Sequence, residues 1–597
     1  MTYVSPIYTE QTECQDCYKC VRNCPANAIK VEQGHAMIVA ELCVMCGRCV
    51  VNCPAHAKRI RNDLPLALQV IEQKEKVFVS LAPSFASEFP EFTSEQLCAA
   101  LKKLGFYGVS ETAIGADLVS AQIAEDLQGI ESGKIEQKLF LSSACPSAVE
   151  YIKRLYPYYA NYITDRSSPL LAHSRFLHKT YGEDIGVVFI GPCIAKKREA
   201  DVWGSIDVAL TFNDLHDWFE EKQITPNAMA QLLKKNADSS TKDLDNKEYS
   251  FVPFRAAGGS MYPVDGGMIA SVKNYIKSSN ARFMTVTGLD SIPDIFGGLK
   301  PEELKRPLFI ELLSCPGGCI NGPGTRNGKS AAIKRVQLLD YAESAEKTLS
   351  DKVLSDKVDL TGTLPVVADS VEEYSEEEIQ GALRSVGKYT VEDELNCSCC
   401  GYDTCRDFAK AILAGNAEKN MCVSYMRKLA QKKANGLIKA IPSGVLICDS
   451  KMQVVECNYN FAKLMGRDIL AMYDAKPGLE SADVTKLIDF HRFYADVLTE
   501  NGPDVIEREV HNGKKIFHVT VFAIEKGEIA GSVIQDVTAP QIQRDRIVNQ
   551  AHKVIDKNLS VVQKIAFLLG ENAAETESML ESIIESFSGD DDNEDAE

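Results

Sequence analysis

No apolar run in the 597 residues is long enough to cross a bilayer, and the start Met1-Thr2-Tyr3-Val4-Ser5-Pro6 has neither the basic flank nor the apolar stretch of a signal peptide. A cytoplasmic protein with no membrane attachment is therefore expected. Positive charge is also short. The formal charge of −19 argues against a surface that wraps nucleic acid, although part of it sits in the acidic run Asp590 to Glu597, within a tail (588–597) read as disordered. After residue 433 there is no kinase, phosphatase, ATP-binding or helix-turn-helix motif, so output from that region needs a signalling partner such as a kinase or phosphatase. In other respects the composition is ordinary: 45% apolar and 25% charged residues suit a soluble chain of about four domains.

Cysteine is abundant. Sixteen of the twenty fall into metal-ligand spacings, which fits a reducing, anaerobic compartment better than a disulfide framework. The chain is organised around Cys315-Pro316-Gly317-Gly318-Cys319-Ile320-Asn321-Gly322-Pro323-Gly324. Two cysteines four apart share one face of a helical turn, and glycines such as Gly317 and Gly318 let backbone approach a bulky ligand. Two upstream segments supply further thiols: Ser142-Ser143-Ala144-Cys145-Pro146-Ser147 and Gly191-Pro192-Cys193-Ile194-Ala195-Lys196-Lys197, each a loop after an apolar strand.

At these three loops the chain resembles the catalytic domain of the FeFe (iron-only) hydrogenases, whose motifs have the forms TSCCP, PCxxKKxE and ExxxCxGGCxxGxG. The resemblance covers residues 65–350. It implies an H-cluster: a 4Fe-4S cube on Cys145, Cys193, Cys315 and Cys319, with the Cys319 sulfur bridging to a two-iron unit that carries carbon monoxide and cyanide. It also implies a pocket lined by Ala82, Pro83 and Ser84 and by the loop Gly266-Gly267-Met268, with Lys196 as the cation beside the cyanides and Ser84 as a further donor. Dedicated maturation proteins, an electron carrier, H2 and protons are the implied partners. Alternating helix and strand signals, with strands near 77–81, 137–142, 186–191, 207–211, 283–286 and 308–313, independently indicate an α/β domain with parallel sheets. Ligands of such sheets lie outside the carboxyl ends of the strands, where all three loops fall.

Residues 1–60 contain a repeat in which Cys14, Cys17, Cys20 and Cys24 recur 29 positions on as Cys43, Cys46, Cys49 and Cys53. This is the bacterial ferredoxin run, in which the fourth cysteine of each run serves the other cluster. One 4Fe-4S cluster is thus expected on Cys14, Cys17, Cys20 and Cys53 and a second on Cys43, Cys46, Cys49 and Cys24. An acidic connector (351–390) leads to Cys397-Ser398-Cys399-Cys400-Gly401-Tyr402-Asp403-Thr404-Cys405 and Cys422, which resembles a small 4Fe-4S module (391–425) of anaerobic redox proteins. Cys397, Cys400, Cys405 and Cys422 are its expected ligands, with Cys399 a bystander, although four cysteines alone do not choose between iron and zinc.

Residues 433–540 resemble a PAS sensor domain, with strands at 444–448, 454–457, 505–510, 515–523 and 529–536. Beyond it, a helix over 541–587 carries two neighbouring apolar seams, Ile547 to Leu568 and Ile555 to Leu569, a face wide enough for self-association or a partner's helices. The whole reads as a multidomain α/β protein, a homo-oligomer. Catalytic family members place a cysteine immediately before the first cluster ligand and use its thiol to pass protons; here that position is Ala144, and pocket methionines are replaced by Gly191 and Leu313. Together with the appended sensor-like domain, these departures resemble the sensory branch of the family. Three functions are compatible with the residues: a low-turnover hydrogen sensor, an iron-sulfur assembly or electron-transfer protein without the two-iron unit, and a PAS redox-signalling module.

Overall fold

The computed structural model describes residues 5–131, 137–239, 248–276, 280–326, 328–365, 373–513, 515–538, 553–555 and 557–558. It divides into two compact units, Met1–Met426 and Arg427–Glu597. The expected apolar seams of 541–587 and the acidic tail lie outside the described residues, apart from the two short stretches just named.

In the first unit, β1 (Ile7–Thr9) pairs antiparallel with β4 (Lys58–Ile60), and β2 (Ile29–Glu32) with β3 (His35–Ile38). The cysteine repeat is also a backbone repeat. Left-handed conformations occur at Asp16, Tyr18 and Asn27, and again 29 residues on at Met45, Gly47 and His56. Two halves that bend at equivalent points present their thiols in the same way. Gly47 has a second reason to be glycine, because a Cβ there would stand 2.5 Å from the Pro323 ring in the organising loop.

Two parallel sheets follow. One has the order β6-β5-β8-β9, from β5 (Val77–Leu81), β6 (Gly108–Glu111), β8 (Gly186–Gly191) and β9 (Val208–Thr211). The other has the order β10-β11-β7, from β7 (Leu139–Leu141), β10 (Arg282–Thr287) and β11 (Leu308–Leu313). Every residue of β5, β8 and β11 is buried, as expected of parallel strands covered on both faces. Six of these strands fall where the apolar runs lie; β6 was not read, because Gly-Val-Ser-Glu carries too little apolar signal. The segment 351–390 is less of a free spacer than its acidity suggested. Leu364 is buried, its carbonyl accepts from Lys153 Nζ at 2.8 Å, and the Leu360 carbonyl accepts from the Ser167 amide. Farther on, helix Glu376–Ser385, capped by Ser375, packs on helix Cys405–Leu413.

The second unit is built on a five-stranded antiparallel sheet of order β13-β12-β16-β15-β14, from β12 (Gly444–Asp449), β13 (Val454–Cys457), β14 (Val505–Asn512), β15 (Lys515–Glu525) and β16 (Ile529–Asp536). Cys448 and Cys457 are buried among its apolar residues. Asn458 ties the unit together. Its Oδ1 accepts from the amides of Val445 and Phe461, at 2.9 and 2.8 Å, and its Nδ2 donates to the carbonyls of Ile438 and Ser443, at 3.0 and 2.8 Å. Among the described residues, no helix is long and apolar enough to cross a membrane.

Asn458→Ala removes four buried hydrogen bonds at once and leaves their backbone partners unsatisfied, so the second unit should lose about 2–4 kcal/mol of stability. Hydrogen exchange of the full chain should show amides of Gly444–Asp449 opening at least tenfold faster, with those of β5 and β8 unaffected.

Candidate metal centre

The three cysteine loops leave the carboxyl ends of strands in both parallel sheets. After β7, the Ser142 amide donates to the Ile310 carbonyl and its Oγ accepts from the Leu312 amide, pinning the loop to β11. Cys145 then caps helix Pro146–Leu155, whose first residue is the proline such a position favours. After β8, Cys193 stands just ahead of helix Ala195–Val202. After β11, the segment from Cys315 to Cys319 is not the helical turn expected from spacing. It is a tight turn, closed by the Gly318 amide on the Cys315 carbonyl, with Gly317 and Gly318 both left-handed, and only then a short 3-10 turn over Cys319–Asn321. A Cβ on Gly318 would lie 2.2 Å from the Pro263 carbonyl, whereas one on Gly317 would meet only the Asn321 amide group, at 2.9 Å. Pro263 is itself in a fixed region, since the buried Asp117 carboxylate accepts from the amides of Ala257 and Gly259 just upstream.

Cys145, Cys193, Cys315 and Cys319 line one cavity, shared with Pro192, Leu313 and Ser314, and with Met45 and Cys46 of the N-terminal segment. Burial raises the thiol of Cys193 to about 12 and pushes those of Cys315 and Cys319 up as well, before any repulsion among them. A buried thiol of this kind stays protonated unless a cation replaces its proton. Four convergent sulfur ligands suit an iron-sulfur cluster.

Cys24, Cys43, Cys46 and Cys49 line a second cavity, the interchanged set expected from the repeat. Cys14, Cys17 and Cys53 lie within electrostatic reach of Cys20. A third cavity gathers Cys397, Cys400, Cys405 and Cys422. Cys399, expected as a bystander to ligation, lines it too.

Beside the first cavity, Lys196 is buried and donates to Glu199 Oε2 at 2.6 Å; Glu199 also accepts from Ser168 Oγ at 3.0 Å. The ammonium lies within electrostatic reach of Cys193 and Cys319. It has three donors, and Glu199 takes one. Lys197 faces elsewhere, bonded to Asp63, Asp214 and the Ala209 carbonyl, and so fixes the helix rather than the site. Ser84, after β5, is 1% exposed and its Oγ has no hydrogen-bond partner among the described residues, alongside buried Ala82 and Pro83. An orphaned buried hydroxyl is what a site for a further polar group would leave. The loop Gly266-Gly267-Met268 is held by Glu311 of β11, which accepts from the Met268 amide at 3.1 Å and from Thr285 Oγ1 at 3.1 Å. Burial raises the Glu311 carboxyl to about 7. Ala144 packs against the apolar cluster of Tyr262 and Met268. At Gly191 the Phe189 ring occupies the missing side chain's space, 2.4 Å from where a Cβ would be.

Sequence reasoning passed over Glu150, Arg198, Glu199 and Glu311. Glu150 and Arg198, 2.8 Å apart, join the helices that follow Cys145 and Cys193. Glu199 and Glu311 had a signal, as the last residue of PCxxKKxE and the first of ExxxCxGGCxxGxG.

The fold and the cavities define an iron-sulfur protein whose main site lies between two parallel sheets. Residues 75–323 match the family of the iron-only hydrogenase large subunit, C-terminal domain, and residues 393–424 match an Fe-S cluster family. The likeness to the iron-only hydrogenases thus lies in the first of these domains, which takes up less than half of the chain. The chain is 25% identical over 283 residues to the periplasmic Fe hydrogenase large subunit of Nitratidesulfovibrio vulgaris, covering 41% of this chain and 65% of that one. It is also 19% identical over 330 residues to the cytosolic Fe-S cluster assembly factor NAR1 of Yarrowia lipolytica, covering 43% and 65%. A solved structure of the FeFe-hydrogenase HydA1 from Chlamydomonas reinhardtii aligns at 20% identity and a TM-score of 0.36, covering 48% of this chain and 91% of that one. The chain thus spans just under two thirds of the length of these two curated relatives.

Gly318→Ala forces a Cβ into backbone at a left-handed position and should abolish cluster binding at Cys315 and Cys319, seen as a loss of about four irons per chain. Gly317→Ala is also strained by its left-handed backbone but meets only a movable side chain, and should retain most of them. Equal iron contents in the two variants would show that the tight turn does not matter.

Proposed function

We propose that the chain binds an H-cluster and acts as a slow, hydrogen-responsive member of the hydrogenase family, reading hydrogen level rather than consuming it (H2 = 2 H+ + 2 e−). The observation that carries this is the pairing of a retained polar setting with a lost proton carrier. Lys196 remains buried within electrostatic reach of Cys193 and Cys319, and Ser84 is buried after β5 with an unpartnered hydroxyl, while Ala144 offers no titratable group. When bound, the two-iron unit would supply the redox-active metal at which hydrogen is split or formed. Lys196, with the two donors left after Glu199, would offset the negative charge of cyanide ligands, and the unpartnered Ser84 hydroxyl would be free to donate to the same ligand set. Ala82, Pro83 and Met268 keep water from the pocket. Without a thiol at position 144, protons must enter by a poorer route, and positioned proton transfer contributes about 100 to 10,000-fold to rate. Cys46, which borders the first cavity and lines the second, would hold the ferredoxin-type cluster that supplies the nearest electron acceptor.

The antiparallel second unit is read as the PAS domain, and the following helix as the means of association or of docking a kinase or phosphatase. A second reading, an assembly factor without the two-iron unit, is favoured by the likeness to NAR1; buried Lys196 has no purpose in it beyond its pair with Glu199.

Lys196→Ala should lower retention of the two-iron unit while leaving the cubane iron content unchanged. Restoring the thiol by Ala144→Cys should raise hydrogen evolution from an artificial donor by about 100-fold or more, with cluster content unaltered. No gain, or native turnover already at the level of the cysteine variant, would remove Ala144 as the brake.

A further inference from the structure

The small module of residues 391–425 is seated on the ferredoxin-like segment. Gly401 is left-handed, and a Cβ there would stand 2.8 Å from the Val21 carbonyl and 3.0 Å from its Cγ1, so the two backbones approach where only glycine fits. Val21 and Val31 from one side share a buried apolar core with Tyr402, Phe408, Met421 and Cys422 from the other. Cys24 and Cys400, each lining its own cluster cavity, pack against this same core.

Tyr402 lies at the junction. It is 6% exposed, within electrostatic reach of Cys400 and Cys24 alike, and its hydroxyl has no hydrogen-bond partner among the described residues. An unpaired buried donor between two sulfur-lined cavities is costly unless a cluster sulfur accepts from it. On the far side of the ferredoxin-like segment, Cys46 lines both the Cys24 cavity and the main cavity. Three cavities therefore follow one another, the first two through the shared Cys46 and the last two across a common apolar core.

We propose that the module on Cys397, Cys400, Cys405 and Cys422 is an electron acceptor of this chain's own relay, reduced by the cluster on Cys24, Cys43, Cys46 and Cys49 across the Val21–Tyr402 contact. The inference rests on the reading that both cysteine sets hold 4Fe-4S clusters. The step is a single-electron exchange in which the ferredoxin-type cluster is oxidised and the module cluster reduced, with no bond made or broken. Its electrons come from hydrogen through the main site. Because the Met426 amide bonds to the Cys422 carbonyl at the start of helix Val423–Ala440, the added negative charge arrives at a helix N-terminus, where it is favoured. The module then stores the redox state at the point where the chain leaves the hydrogenase unit.

The test uses the full chain with its cubane clusters reconstituted and reduced by dithionite, read by low-temperature EPR with iron counting. The native protein should show spin–spin splitting between the module cluster and a ferredoxin-type cluster. Cys400→Ser should lose about four irons together with that splitting. Gly401→Val should keep its iron but give two independent signals, and Tyr402→Phe, which cannot disturb the backbone approach, should keep the splitting but lower the midpoint potential of one of the two clusters. A native spectrum that is already a sum of independent signals overturns the relay alone. Unchanged iron in Cys400→Ser overturns the cluster assignment and the relay with it. An unshifted potential in Tyr402→Phe overturns the bridging role of its hydroxyl.

Discussion

The constraint on which the rest depends is the burial of four thiols from two different sheets around one cavity. Three of them are expensive to ionise where they stand, since burial pushes Cys193, Cys315 and Cys319 upward. Bound iron reverses that cost by replacing protons with positive charge, so cluster binding and the docking of the two lobes are one equilibrium. Because Cys145 and Cys315 come from the three-stranded sheet and Cys193 from the four-stranded one, a cluster bound here is also a cross-link. Thiolate is what binds iron, so affinity should fall as pH falls, with protons released on binding.

The protein reinforces this arrangement with charge pairs placed one layer out. Lys197 joins Asp63 to Asp214, and Arg198 meets Glu150, so three successive charged residues after Cys193, beginning with Lys196, have three separate attachments. Removing one partner of such a buried pair costs about 3–5 kcal/mol because the other is left charged. The glycines act in the opposite sense, by letting chains approach. Gly318 admits the Pro263 carbonyl, Gly47 admits Pro323, and Gly401 admits Val21. Each marks a place where one cysteine-bearing segment is pressed against another element.

Much of this was legible in the chain. The cysteine spacings led to three of the cavities, and the apolar runs to six of the seven parallel strands, because metal ligation and two-sided burial impose local patterns. What escaped was set by contacts between distant segments. Glu311 opens the ExxxCxGGCxxGxG motif, but that it holds the Gly266 loop from another strand is not written in the spacing. Gly401 reads as a turn glycine until Val21 is seen against it. The helical turn expected over Cys315–Cys319 failed because two left-handed glycines make a tighter bend than a four-residue spacing can reveal.

Infrared spectroscopy of the native chain, after its two-iron unit is supplied, tests the central claim most directly. Carbon monoxide and cyanide ligands have bands in a region where protein does not absorb. The account requires those bands to appear and to respond to hydrogen gas. A chain that holds its full cubane iron and shows no such bands would contradict it.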